Sequence, residues 1–286
     1  MTEKKTRAFL KWAGGKYRLV EQINGHLPDA KKLIEPFVGA GSVFLNSDYP
    51  NYLLNDINPD LINLYKILQT QPENYIHDSA KLFTAENNCA ERYYALRTEF
   101  NASADIYHRA VLFLYLNRFG YNGLCRYNQS GGFNVPFGKY KSPYFPREEL
   151  YIFAEKSKRA VFVCESYEKV FSRARKGSVI YCDPPYAPIS KTANFNSYAK
   201  NGFSLLEQAR LADIAATTAF KRHIPVLISN HDTEHTRNLY RQAKLTELQV
   251  SRVISQKVNG RKKVGELLAL YYLPLQNDKK ISPEEH

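Results

Sequence analysis

Five short apolar runs recur along this chain with helical patterns between them, and that alternation constrains the fold more than any other feature. They are Leu33 to Val38, Tyr52 to Asn55, Ala160 to Cys164, Ser178 to Cys182 and Ile224 to Ser229. Short β-branched and aromatic runs of this kind suit buried strands. Strands that alternate with helices make an α/β fold with a mostly parallel sheet. Between the last two runs, Leu205 to Lys221 carries Leu206, Ala209, Leu211, Ile214 and Ala215 at helical spacing, with Ser204 as cap and Glu207 completing a capping box. The spacing predicts a crossover helix and a right-handed parallel connection. Near the end the rhythm changes: Leu245 to Ser255 alternates like a strand, Asn259-Gly260 signals a hairpin turn, and Val264 to Tyr272 returns. An antiparallel hairpin therefore closes the sheet. The polar residues 275–286 read as a disordered tail.

One stretch interrupts the alternation. Residues 58–145 open with helical segments at Pro59 to Gln69, Pro72 to Phe83, Ala90 to Phe100 and Asp105 to Arg118. A Gly- and Asn-rich segment follows, RFGYNGLCRYNQSGGFNVPFGKYKSPYF, which reads as a β-hairpin turning at Gly131-Gly132. We read 58–145 as an inserted, mainly helical domain, and 1–57 with 146–274 as the α/β domain it interrupts. The hairpin carries Arg118, Arg126, Lys139 and Lys141 among Tyr121, Tyr127, Phe133, Phe137 and Tyr140. A basic solvated loop is the plainer reading. The formal net charge of +12 and a pI near 9.4 favour a polyanionic partner.

Composition excludes several classes. No run of apolar residues is long enough to span a bilayer, and MTEKKTRAF lacks the apolar core of a signal peptide, so the expectation is a cytoplasmic protein. Cys89, Cys125, Cys164 and Cys182 are widely separated, with no C-x-x-C pair, which argues for reduced thiols and no structural metal. Neither a G-x-S-x-G elbow nor an H-E-x-x-H helix occurs, and His231-Asp232 has no evident serine partner.

Four motifs can carry chemistry. LIEPFVGAGSVF runs from strand into a glycine turn and then helix, where Gly39 and Gly41 permit a tight turn and the helix start offers free N–H groups. A nucleoside-like cofactor fits, although G-A-G is shorter than the dinucleotide fingerprint. In YLLNDIN, Asp56 follows the second strand and can accept from both ribose hydroxyls, or can cap the helix starting near Pro59. FLKWAGGKY resembles a phosphate loop but lacks its spacing and its Ser or Thr. What remains is the face of Trp12 and the cation of Lys16, suited to a ligand bearing an adenine and a carboxylate; a buried Trp anchor is the alternative. Last, SVIYCDPPYAPIS ends a strand on Asp183, Pro184, Pro185 and Tyr186, a stiff extended exit that serves equally as punctuation or as a site.

KWAGGK, EPFVGAG, LLNDIN and CDPPYAP in this order resemble the amino DNA methyltransferases, and within them the DNA adenine methylase (Dam) family. The likeness runs from about Arg7 to Tyr272 and takes in RFGYNGLCRYN and FNVPFG. It implies a Rossmann-like methyltransferase sheet, S-adenosyl-L-methionine as donor without a metal, GATC in double-stranded DNA as target, and the insertion as target-recognition domain. It places Trp12, Lys16, Asp56 and Asp183 at the cofactor, with Phe37, Gly39 and Gly41 in the turn beneath. Asp183 and the Pro184 carbonyl would accept the two hydrogens of the adenine amino group, drawing its delocalised lone pair toward the methyl. Pro185 stiffens the segment, and Tyr186 would stack on a flipped base.

Reading of the target falls to the hairpin. Arg126 is the expected bidentate contact to guanine, Leu124 and Pro136 touch a thymine methyl, Tyr121 wedges into the stack, and Asn122 meets polar base edges. Lys11 joins them by resemblance, with Tyr140 beside it on the interface. Lys139 stands where relatives often carry Arg, which assigns it to phosphate rather than to a planar fork. Cytosine-N4, RNA or protein-amide methylation, and a DNA-binding protein with a degenerate cofactor site, are the competing readings. The resemblance also implies roles in mismatch repair and replication control, at the nucleoid, with no obligate protein partner evident.

Overall fold

The computed structural model describes residues 5–186, 203–248 and 265–273. Seven strands, β1 (Lys32–Glu35), β2 (Asn51–Asn55), β3 (Ala160–Val163), β4 (Ser178–Cys182), β5 (Val226–His231), β6 (Lys244–Leu248) and β7 (Glu266–Tyr271), form a mostly parallel sheet in the order β3-β2-β1-β4-β5-β7-β6. The helices are α1 (Val20–His26), α2 (Ser42–Asn46), α3 (Pro59–Thr70), α4 (Pro72–Ala80), α5 (Ala90–Ala102), α6 (Ile106–Phe119), α7 (Arg147–Ser157), α8 (Tyr167–Arg173), α9 (Leu205–Arg222) and α10 (Glu234–Leu239). Two compact units divide the chain: Met1–Asn24 with Lys32–Val170, and Gly25–Lys31 with Phe171–His286.

In the first unit β2 lies between β1 and β3, parallel to both, with Ile34 opposite Leu53 and Leu53 opposite Val161. The register matters for function, because it brings the carboxyl ends of β1 and β2 to one edge. Pro36 has no N–H to continue a ladder, so β1 ends at Glu35, short of the Val38 expected from the apolar run. The chain turns there instead: Val38 N–H donates to the Asn55 carbonyl, and Gly41 N–H to that of Val38. Helix α6 is the hub of the helical segment, apolar nearly all round and buried from Ala110 to Asn117, with α3, α4 and α5 against it. Its core is unusually rich in tyrosine, and each hydroxyl finds an acceptor: Tyr65 on the Gly39 carbonyl, Tyr75 on Ala110, Tyr93 on Val135 and Tyr115 on Asn87.

The expected hairpin at Gly131-Gly132 takes the form of two isolated antiparallel bridges, Gly120 with Phe137 and Tyr127 with Phe133. Side chains compete with the ladder here. The Asn128 side chain accepts from the backbone N–H groups of Ser130 and Gly132, adding to the backbone bonds from Gly131 N–H to the Asn128 carbonyl and from Asn128 N–H to the Gly132 carbonyl.

In the second unit β4 is parallel to β5, and β7 runs antiparallel between β5 and β6. All five residues of β4 are buried, as its unbroken apolar run requires. Ser204 caps α9 by accepting from the Glu207 N–H at 3.1 Å. The strand pair expected at the chain end is present as β6 and β7, while the Asn259-Gly260 turn, Ala187-Pro188 of the CDPPYAP motif and the 275–286 tail lie outside the described residues. Among the described residues no helix is long and apolar enough to cross a membrane.

Candidate active site and nucleic-acid interface

At the strand ends of the first unit, Gly39 (φ 46°) and Gly41 (φ 72°) both occupy left-handed backbone. A Cβ on Gly39 would stand 2.7 Å from Trp12 Nε1, so the missing side chain is what lets the indole lie on the turn. Asp56 faces the same turn, its Oδ2 accepting from Gly39 N–H at 3.2 Å and its Oδ1 from Asn58 N–H at 3.0 Å. Burial raises its pKa, and the backbone donors of Asn58, Gly39 and Ile57 pull the other way. The helix-cap alternative for Asp56 fails. Asn58 caps α3, its Oδ1 taking Asp60 N–H at 3.0 Å and Leu61 N–H at 3.4 Å. Lys16 is buried and donates to the Gly14 carbonyl at 3.0 Å. Phe37 packs on Tyr167 with ring centroids 5.6 Å apart.

In the second unit, Asp183 leaves β4 with its Oδ1 accepting from Ser229 Oγ at 3.1 Å. Tyr181 hydroxyl lies 3.0 Å from the same Ser229 oxygen, so a Tyr181-to-Ser229-to-Asp183 donor chain fixes the carboxylate rotamer. The Pro185 carbonyl accepts from Gln208 Nε2 at 3.1 Å, Gln208 Oε1 from Asn230 Nδ2 at 2.9 Å, and the Tyr240 hydroxyl from that same Nδ2 at 2.9 Å. Pro184 itself is buried and Pro185 exposed. The Tyr186 hydroxyl donates to Glu266 Oε1, and its ring meets His231 edge to face with centroids 4.4 Å apart. Burial, then the charges of Asp183 and Glu266, push the Tyr186 phenol well above its ordinary pKa, so it stays a donor. The neighbouring Asp232 is held by both nitrogens of an Arg237 fork, at 2.5 and 2.6 Å. Ser229, Gln208 and Asn230 escaped sequence reasoning, yet each is a polar side chain on an otherwise apolar face, which is the signal that could have found them.

The expected reading residues sit on one loop system of the first unit. Tyr121, Asn122, Arg126, Pro136 and Lys139 are exposed, and Leu124 is half-buried. Asn122 (φ 54°) and Gly123 (φ 61°) make consecutive left-handed turns, a conformation Asn tolerates better than most side-chain-bearing residues. Lys11 is drawn to this loop from the other end of the unit's chain. Its Nζ stands 3.6 Å from the centroid of the Tyr140 ring and donates to the Arg118 carbonyl, while the Tyr140 hydroxyl accepts from Asn122 N–H. Buried Asn117 clamps the arrangement, accepting from Lys11 N–H at 2.9 Å and donating to the carbonyls of Lys11 and Gly123. Burial and the Arg118 charge lower the Lys11 pKa to about 8. Arg126 lies against Asn134, donating to its Oδ1 at 2.8 Å. Lys139 has positive φ (55°). Among the described residues, no group of His, Cys, Asp and Glu could hold a metal ion.

Residues 12–254 match the family described as D12 class N6 adenine-specific DNA methyltransferase. The chain is 63% identical to the DNA adenine methylase of Vibrio cholerae serotype O1 over 268 residues, covering 94% of this chain and 97% of that one. It is 61% identical to the DNA adenine methylase of Escherichia coli K12, with 94% and 96% covered, and 59% identical to that of Serratia marcescens, with 94% and 99% covered. With the α/β sheet, the strand-end acid and the DPPY exit in place, this chain belongs to the D12 class of N6 adenine-specific DNA methyltransferases.

Proposed function

We propose that the protein methylates adenine N6 within GATC in duplex DNA, using S-adenosyl-L-methionine and a target base turned out of the helix. The observation that carries this reading is the buried Tyr181 and Ser229 chain that holds Asp183 in one rotamer at the exit of β4. A base acceptor that must aim a lone pair gains from such pre-positioning. The donor, when bound, supplies an electrophilic sulfonium methyl group. Trp12 offers the adenine of that donor an apolar face, Asp56 accepts from its ribose hydroxyls, and Lys16 meets its carboxylate. The Trp12 indole seated on the Gly39 turn and the buried Asp56 carboxylate beside it suit a nucleoside of this kind. Asp183 and the Pro184 carbonyl each accept one amino hydrogen of adenine, so that N6 acquires tetrahedral character as positive charge develops. Tyr186 stacks on the extruded base, offsetting an unstacking cost of about a few kcal/mol.

Residues 58–145 act as the target-recognition domain, and 1–57 with 146–274 as the catalytic domain. Arg126 reads a guanine, Leu124 and Pro136 a thymine methyl, Tyr121 and Asn122 the neighbouring stack, Lys11 and Tyr140 the base edges beside them, and Lys139 a phosphate. In the cell the expected setting is nucleoid DNA in the cytoplasm, in strand discrimination during repair and in replication control. Labelled methyl transfer to GATC and GATT duplexes tests the specificity, and equal labelling of both would sink it. Asp183→Ala is expected to abolish transfer while leaving duplex affinity unchanged in a gel-shift titration. Turnover near wild type would refute the acceptor role.

A further inference from the structure

Arg126 is exposed, but the residues on either side of it turn inward to one helix start. Cys125 Sγ accepts from Asn58 Nδ2 at 3.2 Å. The Tyr127 hydroxyl donates to Asp60 Oδ2 at 2.7 Å, with Asn58 Oδ1 3.5 Å away. Asn58 and Asp60 open α3, two and four residues after Asp56. Asp60 is buried, and its two oxygens already accept a fork from Arg109, Nε to Oδ1 and Nη2 to Oδ2, both at 2.9 Å. Arg109 is held in turn by the carbonyls of Phe100 and Ser103. Burial pushes the Cys125 thiol up to about 12 and the Tyr127 phenol higher still, so both stay neutral.

Packing alone does not account for the tyrosine. The fork satisfies Asp60 without it, and the Tyr127 ring lies edge to face on Phe133 at 5.6 Å, a contact that phenylalanine would keep. Burying a hydroxyl is unfavourable unless it gains a specific bond. Here the bond joins residues 67 apart in sequence and ties the reading segment to a fixed helix end.

We propose that Tyr127 and Cys125 are positioning residues that set the reach of Arg126, and thereby the discrimination at one base pair, by footing its segment on Asp60 and Asn58. The proposal rests on Arg126 reading a guanine of the target. The test compares kcat/KM for GATC with kcat/KM for a duplex whose guanine read by Arg126 is changed with its partner to A·T. Tyr127→Phe should lower that ratio about tenfold, as loss of one charge-assisted hydrogen bond would. The KM for S-adenosyl-L-methionine should stay close to wild type, and the Tm should fall by no more than about a few degrees. Cys125→Ser, which still accepts from Asn58, should keep the ratio, and Cys125→Val should lower it. An unchanged ratio in Tyr127→Phe, with the ratio collapsed in Arg126→Ala, overturns the positioning role and leaves the reader assignment standing. An unchanged ratio in Arg126→Ala overturns both. A cofactor KM that rises in step with lost discrimination overturns the proposal too, because it marks a general loosening of α3.

Discussion

Lys11 shows how burial tunes a residue that we propose meets DNA. Its ammonium lies on the Tyr140 ring, partly out of water and close to Arg118, and both effects favour the neutral form. The free protein therefore releases this proton near pH 8, against an ordinary 10.5. A polyanion favours the charged form, so duplex affinity should fall as pH rises through 8, where the free protein discharges. Lys11→Arg should flatten that pH profile in an anisotropy titration. The same shift acts on folding in the opposite sense: between 8 and 10.5 the unfolded chain binds more protons, so stability gains with pH there. Sequence alone could name Lys11 only by resemblance, because the ring beneath it and the Asn117 clamp come from positions more than a hundred residues away. Asp56 was more legible. Its place after an apolar run marked it, and only its competition with a helix cap needed coordinates to resolve in favour of Asn58.

At the scale of elements, β4 and α9 were readable because their signals are local. A run of five buried residues ended by two prolines, and a helix opened by Ser204, need nothing distant to explain them. The loop after α6 was less legible, since its backbone pairs only at isolated bridges and the Asn128 side chain shares in closing the turn. Nor did any pattern announce the polar link from α9 to the DPPY exit. Gln208 is fully buried and joins the Pro185 carbonyl to Asn230, so its loss leaves two polar groups short of a partner. Gln208→Leu should cost about 1 to 3 kcal/mol in urea denaturation. It should also lower kcat with the DNA KM unchanged.

For the whole molecule, the net charge of +12 predicts a large sequence-independent share of affinity. Raising salt from about 50 to about 200 mM should weaken binding to GATC and to an unrelated duplex together, by roughly a thousandfold if about six phosphates are engaged. A ratio between the two that fell as steeply as either affinity would place the discrimination in phosphate contacts instead. The order of the sheet has a consequence for synthesis. Tyr52 of β2 pairs with Ala160 of β3, and α3 to α7 lie between them in the chain. One edge of β2 must therefore stand unpaired while the ribosome makes all five helices, a period in which an open strand edge invites aggregation. Because α3, α4, α5 and α6 pack chiefly on one another, they can assemble as they emerge and hold the waiting edge near the strand that will cover it. The helices that separate β2 from β3 in the chain thus double as the splint on which the first half of the sheet is completed.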